Sequence, residues 1–486
     1  MTVDSPSLQL ERTTQHAGFP LAAELTPAPD PWDAFQRVAH LPHALFLDSA
    51  LSHPTLGRYS YVTADPFAWL MSRGRQGSDP FTRLAEGLAR YRSEPQPELP
   101  PFQGGAAGLF GYDLCHWIER LPRPGLDEFA VPDLAVGFYD WVLAFDHIQG
   151  RAWVISTGFP VSQERRRSAR AVRRMRSIRR RLRSSSRCLP PNHRTGGRRV
   201  LGIEELCPQH PVEDSAGVTS NFSRASYLAA AERAIEYTHA GDCFQVNLAQ
   251  RLLHPATVPP LELYRRLRER NAAPLAGYFD TGDFVIASAS PERFLRVENA
   301  VVETRPIKGT RPRGASPAED ATQIAELGKS AKDRAENVMI VDLLRNDLGR
   351  VCRYGSVRVA DVCKLESYRT VHHLVSEVRG ELRSGLGPVD LLRAAFPGGS
   401  VTGAPKVRAM EIIAELEPTA RGPYCGSLAY VGFDGSMDSS ILIRTFTIGR
   451  GWVQFPVGGG IVADSVPERE YEETWHKAEG LLRALR

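Results

Sequence analysis

Lys308 stands in Thr304-Arg305-Pro306-Ile307-Lys308-Gly309-Thr310, a lysine held between Pro and Gly at an expected strand end. An ordinary lysine, with a pKa near 10.4, is only about one part in a thousand free amine at neutral pH, so a nucleophilic one must be desolvated or set near other cations. Arg305, Arg311 and Arg313 are placed to supply that bias. Taken alone, such a lysine reads more simply as a surface residue.

A second constellation is a set of carboxylates with helical spacing. Ser330-x-x-Asp333 has the form of a capping pair and sets Asp333 and Glu336 three apart on one face. Ser465-x-x-Glu468 has the form of a capping box, with Pro467 early in the helix and Glu470 and Glu473 again three apart. If the two faces meet, they make a hard oxygen site suited to Mg²⁺ with waters retained. Acids at this spacing more often face solvent.

The run Phe396-Pro-Gly-Gly-Ser-Val-Thr-Gly-Ala-Pro-Lys406 is a Gly-rich turn feeding a helix, whose N–H groups and positive dipole end suit an anion. It is not a P-loop, because Ala404-Pro405 stand where Lys and Ser or Thr are needed. A carboxylate is the expected ligand, against a plain tight turn. Gly458-Gly459-Gly460 offers a second nest of amides. Glu292, in SPERF, and the pair His372-His373 are candidate acid–base groups.

These segments need elements to hold them. Ser223 or Ser226 is placed to cap a helix running to Ala240 and closing at Gly241. Further helices are expected over 331–346, 405–416 and 467–485, among strand patterns such as FVIASASPERFLRV, SSILIRTFTI and WVQFPVGGGIV. Before them, 44–49, 137–145 and 151–156 read as strands, and PPFQGGAAGLFGYDL alternates Gly with aromatics where backbones pack closely. Long antiparallel sheets flanked by helices fit this order better than regular βαβ alternation.

Composition narrows the class. At 486 residues, with 42% hydrophobic and 24% charged residues and no apolar run near the roughly 20 a membrane span requires, a large soluble globular protein is expected. The first residues lack a basic start followed by an apolar run, so the cytoplasm is the expected location. Seven scattered cysteines without C-x-x-C spacing argue against a disulfide framework and against zinc. The net charge of +4 conceals a basic stretch over 164–199. Its Ala171, Met175, Ile178 and Leu182 have helical spacing, and it then decays into Ser, Pro and Gly, so a basic helix and linker are expected. With no interleaved aromatics, nucleic acid is not its expected partner.

Taken together and in order, GDCFQVNLAQR (241–251), SPERF (290–294), ETRPIKGTRPR (303–313), ENVMIVDLLRNDLGR (336–350), HHLVS (372–376), FPGGSVTGAPKVRAM (396–410), ILIRT (441–445) and GGGIVADS (458–465) resemble the chorismate-utilising enzymes. That group includes aminodeoxychorismate, anthranilate, isochorismate and salicylate synthases. FLDSALSHPTLGRYSY and GGAAGLFGYD resemble the family's amino-terminal region less specifically.

The resemblance implies roles. PIKGT is the aminodeoxychorismate synthase form, in which the lysine, here Lys308, attacks C2 of chorismate; anthranilate synthases usually carry alanine there. It implies Glu292 in proton transfer, Glu336, Glu470 and Glu473 as Mg²⁺ ligands, and His373 and Ser400 close to the reacting ring. Tyr424, Arg444, Gly459, Gly460 and Lys477 are implied in substrate binding. Ser400 departs from the Thr of anthranilate synthases, which leaves its contact open.

The implied activity is amination of chorismate at C4, Mg²⁺-dependent, toward p-aminobenzoate and folate; the alternative is anthranilate synthase component I. No G-x-C-x-G segment is present, so ammonia is expected from a separate glutaminase subunit. The implied fold is α+β, two large antiparallel sheets packed face to face with helices outside. Its expected divisions are an N-terminal lobe over 1–160 contributing to both sheets, the Arg-rich helix and linker over 161–215, and a catalytic region over 216–486. A tryptophan pocket around Asp48, Ser49 and Tyr59 is a further expectation from relatives.

Overall fold

Segments rich in Val, Ile, Phe and Gly without helical spacing can satisfy their backbone only by pairing with one another. In the computed structural model, which describes residues 19–51, 56–74, 77–184, 199–213, 215–367 and 371–486, they pair into two large sheets. One has thirteen strands and the other ten, and their ladders are antiparallel, as expected.

The sheets face each other across a core that takes Leu45, Tyr61, Phe279 and Ile286 from one and Leu109, Tyr139, Leu428 and Tyr430 from the other. Helices cover the outer faces. Pro260–Arg270 and Pro467–Leu485 pack on the larger sheet, and Pro388–Ala395 with part of Ala331–Gly349 on the smaller. Early strands enter both sheets beside late ones: Leu45–Asp48 pairs with Leu275–Asp280, and Gly105–Phe110 with Ser427–Gly432. The site below therefore forms only when distant parts of the chain have met. Among the described residues no helix is long and apolar enough to cross a membrane.

Local signals were followed in most places. Ser223 caps Arg224–His239 through a bond from Ser226 N, and Ser330 caps Ala331–Gly349 through Asp333 N. The expected capping box at Ser465 is not formed. Val466 is the N-cap, without a side-chain bond, and Ser465 Oγ instead donates to Glu470 Oε1 at 2.6 Å. A buried carboxylate is the stronger acceptor and outcompetes the helix end. The Gly-rich loop also differs from an open nest: it makes a short turn at Gly399–Val401, and Gly403–Ala404 pairs with Gln245–Val246.

The basic stretch begins as the helix Glu164–Arg183, with Ala171, Met175 and Ile178 buried. Arg170 and Arg174 reach the buried Asp140 at 3.1 and 3.2 Å, so part of the charge is structural. Part of the expected linker, 185–198 with Cys188, and the N-terminal residues 1–18 lie outside the described residues. The other six cysteines are buried and free. Asp48 takes bonds from Tyr264 Oη (2.9 Å) and Arg268 Nε (2.8 Å), and Ser49 Oγ donates to Tyr59 O (2.6 Å). Of the three residues expected around a tryptophan pocket, the Asp48 and Ser49 side chains thus bond within the protein.

One buried pair fixes the Gly-rich loop to the acid-bearing helix. Lys406 Nζ donates to Asp347 Oδ2 and to Ala395 O, each at 2.6 Å. Asp347→Ala leaves that ammonium buried without its counter-charge, and we expect a loss of roughly 3–5 kcal/mol in denaturant unfolding. A loss under about 1 kcal/mol would mean the pair is solvent-screened like a surface one.

Candidate active site

The strand Gln245–Pro255 runs antiparallel to Trp452–Ile461, with Asn247 opposite Gly460 and Ala249 opposite Gly458. On its other side Trp452–Ile461 is paired only as far as Gln454, so alternate amides around Gly458 to Gly460 are left facing away from a partner strand. In the smaller sheet Ile307–Pro312 lies against Val371–Glu381, and the register shifts between Lys308 and Thr310. Gly309 at φ +79° makes the shift, and a Cβ there would meet Asp333 Cβ at 2.9 Å.

A cavity of about 880 Å³ opens where these pieces meet. Lys308, Glu292, His373, Ser400, Tyr424, Arg444, Gly460, Lys477, Glu336, Glu470 and Glu473 line it. Gly459 lies between two lining glycines, and a Cβ added to it would stand 3.4 Å from both Glu470 Oε2 and Glu473 Oε1.

Ser400 is the hinge of the polar arrangement. Its Oγ donates to Glu292 Oε1 at 2.8 Å, and its carbonyl accepts from Lys308 Nζ at 3.5 Å. Burial lowers the Lys308 amine below its ordinary value; Glu336 opposes this and Lys477 adds to it. The cations named from the sequence do not act here, because each has its own carboxylate. Arg305 pairs with Glu366 and Glu377, Arg311 with Asp333 and Arg313 with Asp320.

Burial raises the Glu292 carboxyl, against the Ser400 bond and the charges of Lys308 and Arg444. A raised acid beside a lowered amine is the pairing that proton transfer during nucleophilic attack requires. The two histidines part company. His373 Nδ1 shares a 2.8 Å bond with Thr310 Oγ1, and burial, aided by Arg444, lowers it to about 4, so it is neutral at pH 7. His372 points elsewhere, bonded to Ser367 Oγ and Asp320 Oδ1. Arg444 itself sits at φ +52°, a conformation non-glycine residues adopt at a cost where a site demands it.

No group of three or more His, Cys, Asp or Glu side chains among the described residues is close enough to hold an ion by itself. The glutamates still fit a Mg²⁺ that keeps waters or takes substrate oxygens. Glu470 Oε2 is buried without a hydrogen-bond partner, and burial raises its carboxyl. Glu473 is pulled upward by burial, but Lys477, at 2.6 Å, and the charges of Lys308 and Lys332 prevail and hold it below its ordinary value. Glu336 faces the same cavity from the other helix, raised by burial, with Lys332 at 4.0 Å. An unpartnered buried oxygen near a second carboxylate is the donor set a hard cation takes.

Among the cavity residues that sequence reasoning missed, Asn247 stands out. Asn247 is buried on the wall, and its Oδ1 lacks a hydrogen-bond partner. A polar side chain inside the apolar pattern FQVNLAQ was the available signal, since a buried amide demands a partner.

The model of the chorismate binding enzyme family matches residues 54–483. Aminodeoxychorismate synthase component 1 of Escherichia coli is 41% identical over 464 residues, covering 93% of this chain and 95% of that protein. Anthranilate synthase component 1 of Thermus thermophilus is 46% identical over 394 residues, covering 81% and 79%. The crystal structure of anthranilate synthase component I from Streptococcus pneumoniae superposes with a TM-score of 0.71 at 30% identity, covering 89% of this chain and 93% of that one.

The unpartnered Glu470 oxygen yields a paired expectation. In metal-free protein Glu470→Gln removes a buried charge and raises the melting temperature. Mg²⁺ at about 100 Kd stabilises the wild type by ~2.7 kcal/mol and the variant far less. Equal stabilisation of both by Mg²⁺ in thermal unfolding would exclude Glu470 as a ligand.

Proposed function

The chain belongs to the family of chorismate-binding enzymes, and from that premise we propose that it aminates chorismate at C4 to give 4-amino-4-deoxychorismate. The observation that carries this reading is Lys308, its amine lowered by burial, on the cavity wall beside Ser400 and the raised carboxyl of Glu292.

In the proposed course the neutral Lys308 amine adds at C2 of chorismate. Both ring double bonds shift, and the C4 hydroxyl leaves as water with a proton from Glu292, because hydroxide is a poor leaving group. Ammonia then adds at C4, the double bonds shift back and the Lys308 amine is expelled, so the diene is restored and the enolpyruvyl group retained. Arg444 and Tyr424 face the same cavity and are suited to the substrate's carboxylates. Mg²⁺, held by Glu336, Glu470 and Glu473, would neutralise the ring carboxylate beside those acids. The names of the relatives mark them as component 1 of their enzymes. We propose likewise that a separate glutaminase chain supplies ammonia here.

The second reading is anthranilate synthase component I, in which pyruvate is eliminated and the ring becomes aromatic. The comparisons on their own lean that way, since the Thermus thermophilus protein shares 46% identity against 41% for the Escherichia coli one, and the superposed solved structure is also an anthranilate synthase. Lys308 favours the first reading.

Chorismate loss in the presence of Mg²⁺ and an ammonium salt tests the lysine. Lys308→Ala is expected to lose roughly a hundredfold or more of the rate while melting near the wild-type temperature. An unreduced rate ends the nucleophile role. The amine is protonated, and inactive, below its pKa, so the wild-type rate falls as pH falls through it. With glutamine in place of ammonium the isolated chain is expected to be inactive; glutamine-dependent turnover without a partner would contradict the separate glutaminase.

A further inference from the structure

Two walls of the cavity meet where the short ladder of Gly403–Ala404 with Gln245–Val246 ends, the last main-chain tie being Asn247 N donating to Thr402 O at 2.8 Å. One is the Gly399–Val401 turn, whose Ser400 holds both Lys308 and Glu292. The other is the strand Gln245–Pro255, whose Asn247 faces the cavity opposite Gly460. A single side chain reaches both. Arg421 Nη1 donates to Val401 O at 3.0 Å, and Nη2 donates to Asn247 O at 2.7 Å.

The guanidinium is held in turn by Glu417, four residues back. Its Nε donates to Glu417 Oε2 at 2.8 Å and its Nη2 to Oε1 at 2.5 Å, with only 3% and 5% of the two side chains exposed. Glu417 Oε1 also accepts from Ala249 N at 2.9 Å, a second tie to the same strand. Arg421 lies against Tyr112, 4.9 Å from its ring centre, and 5.6 Å from that of Tyr424. Burying an ion pair so fully carries a desolvation cost that an apolar pair of the same size would avoid, so the pair must offer something packing does not. What it offers here is a planar fork with four donors in use, directed at two main-chain carbonyls and one carboxylate.

We infer that Arg421, oriented by Glu417, is a positioning residue that sets the Ser400 turn against the Asn247 strand and so fixes where Lys308 and Glu292 stand. Val401 O belongs to the residue after Ser400, so a slackened bond there moves the carbonyl that receives Lys308 and the hydroxyl that donates to Glu292. A lysine at 421 retains the charge against Glu417, but its single ammonium cannot reach Glu417, Val401 O and Asn247 O together.

Two variants separate this role from mere stability. Arg421→Lys keeps the buried ion pair, and Glu417→Gln with Arg421→Met removes both charges so that neither is left buried alone. Both are checked by thermal unfolding. The first readout is the rate at which Lys308 is acetylated by acetic anhydride, measured by peptide mass spectrometry against the exposed Lys364 of the same molecule; it requires no substrate. The Lys308 to Lys364 ratio is expected to rise about fivefold in both variants as the Ser400 carbonyl loosens.

The second readout, chorismate turnover, rests on the function proposed above. There kcat is expected to fall on the order of tenfold with KM within about threefold, the mark of lost alignment rather than lost binding. An unchanged labelling ratio in folded variants overturns the inference. A wild type that consumes no chorismate would overturn the functional reading instead, and the labelling ratio would still decide the role of Arg421.

Discussion

A buried ammonium group among carboxylates is the constraint on which the rest of this molecule depends. In its proposed role Lys308 must be dry enough to lose its proton readily, yet it stands in a cavity with Glu336, Glu292 and Glu473, whose charges hold the proton on. Charges taken from water without compensation cost several kcal/mol each, so every acid here needs a donor, a cation or a ligand. Ser400 and Lys477 supply donors to Glu292 and Glu473, while one oxygen of Glu470 is left open. That imbalance is stable only because the surrounding backbone is tightly fixed.

The fixing comes from topology. Early and late strands share both sheets, so the long pairing of Gln245–Pro255 with Trp452–Ile461 cannot slip without moving the whole larger sheet. On that frame the helices Ala331–Gly349 and Pro467–Leu485 bring their acids to the cavity from opposite sides. Lys406 with Asp347, and Arg421 with Glu417, then pin the Gly-rich loop between them. Rigid elements thus carry the groups proposed to react, and buried ion pairs tie those elements together.

Much of this was readable residue by residue, and the failures have physical causes. Ser223 and Ser330 cap their helices, and among the described residues no carboxylate bond to either hydroxyl competes; Ser465 does not, because its hydroxyl is taken by the Glu470 carboxylate. Spacing put Glu336, Glu470 and Glu473 on helix faces but could not say whether those faces met solvent or one another, which is decided by packing against distant strands. The face-to-face sheets were an inference from resemblance, since periodicity alone gave only antiparallel strands with helices. Asn247 and Arg421 were passed over. Their meeting depends on a contact far apart in sequence, Arg421 reaching Asn247 O with a separation of 174. The arginines around Lys308 misled for the converse reason, because proximity in sequence did not reveal the carboxylates that neutralise them.

The two readings of the activity share a cavity and differ in the fate of the enolpyruvyl group. The most direct measurement is therefore the mass and ultraviolet spectrum of the product formed by the wild-type chain from chorismate, Mg²⁺ and an ammonium salt. A non-aromatic product that keeps the enolpyruvyl group and carries an amine in place of the C4 hydroxyl is the predicted result. Fluorescent anthranilate with release of pyruvate would contradict the account and reassign the chemistry of Lys308.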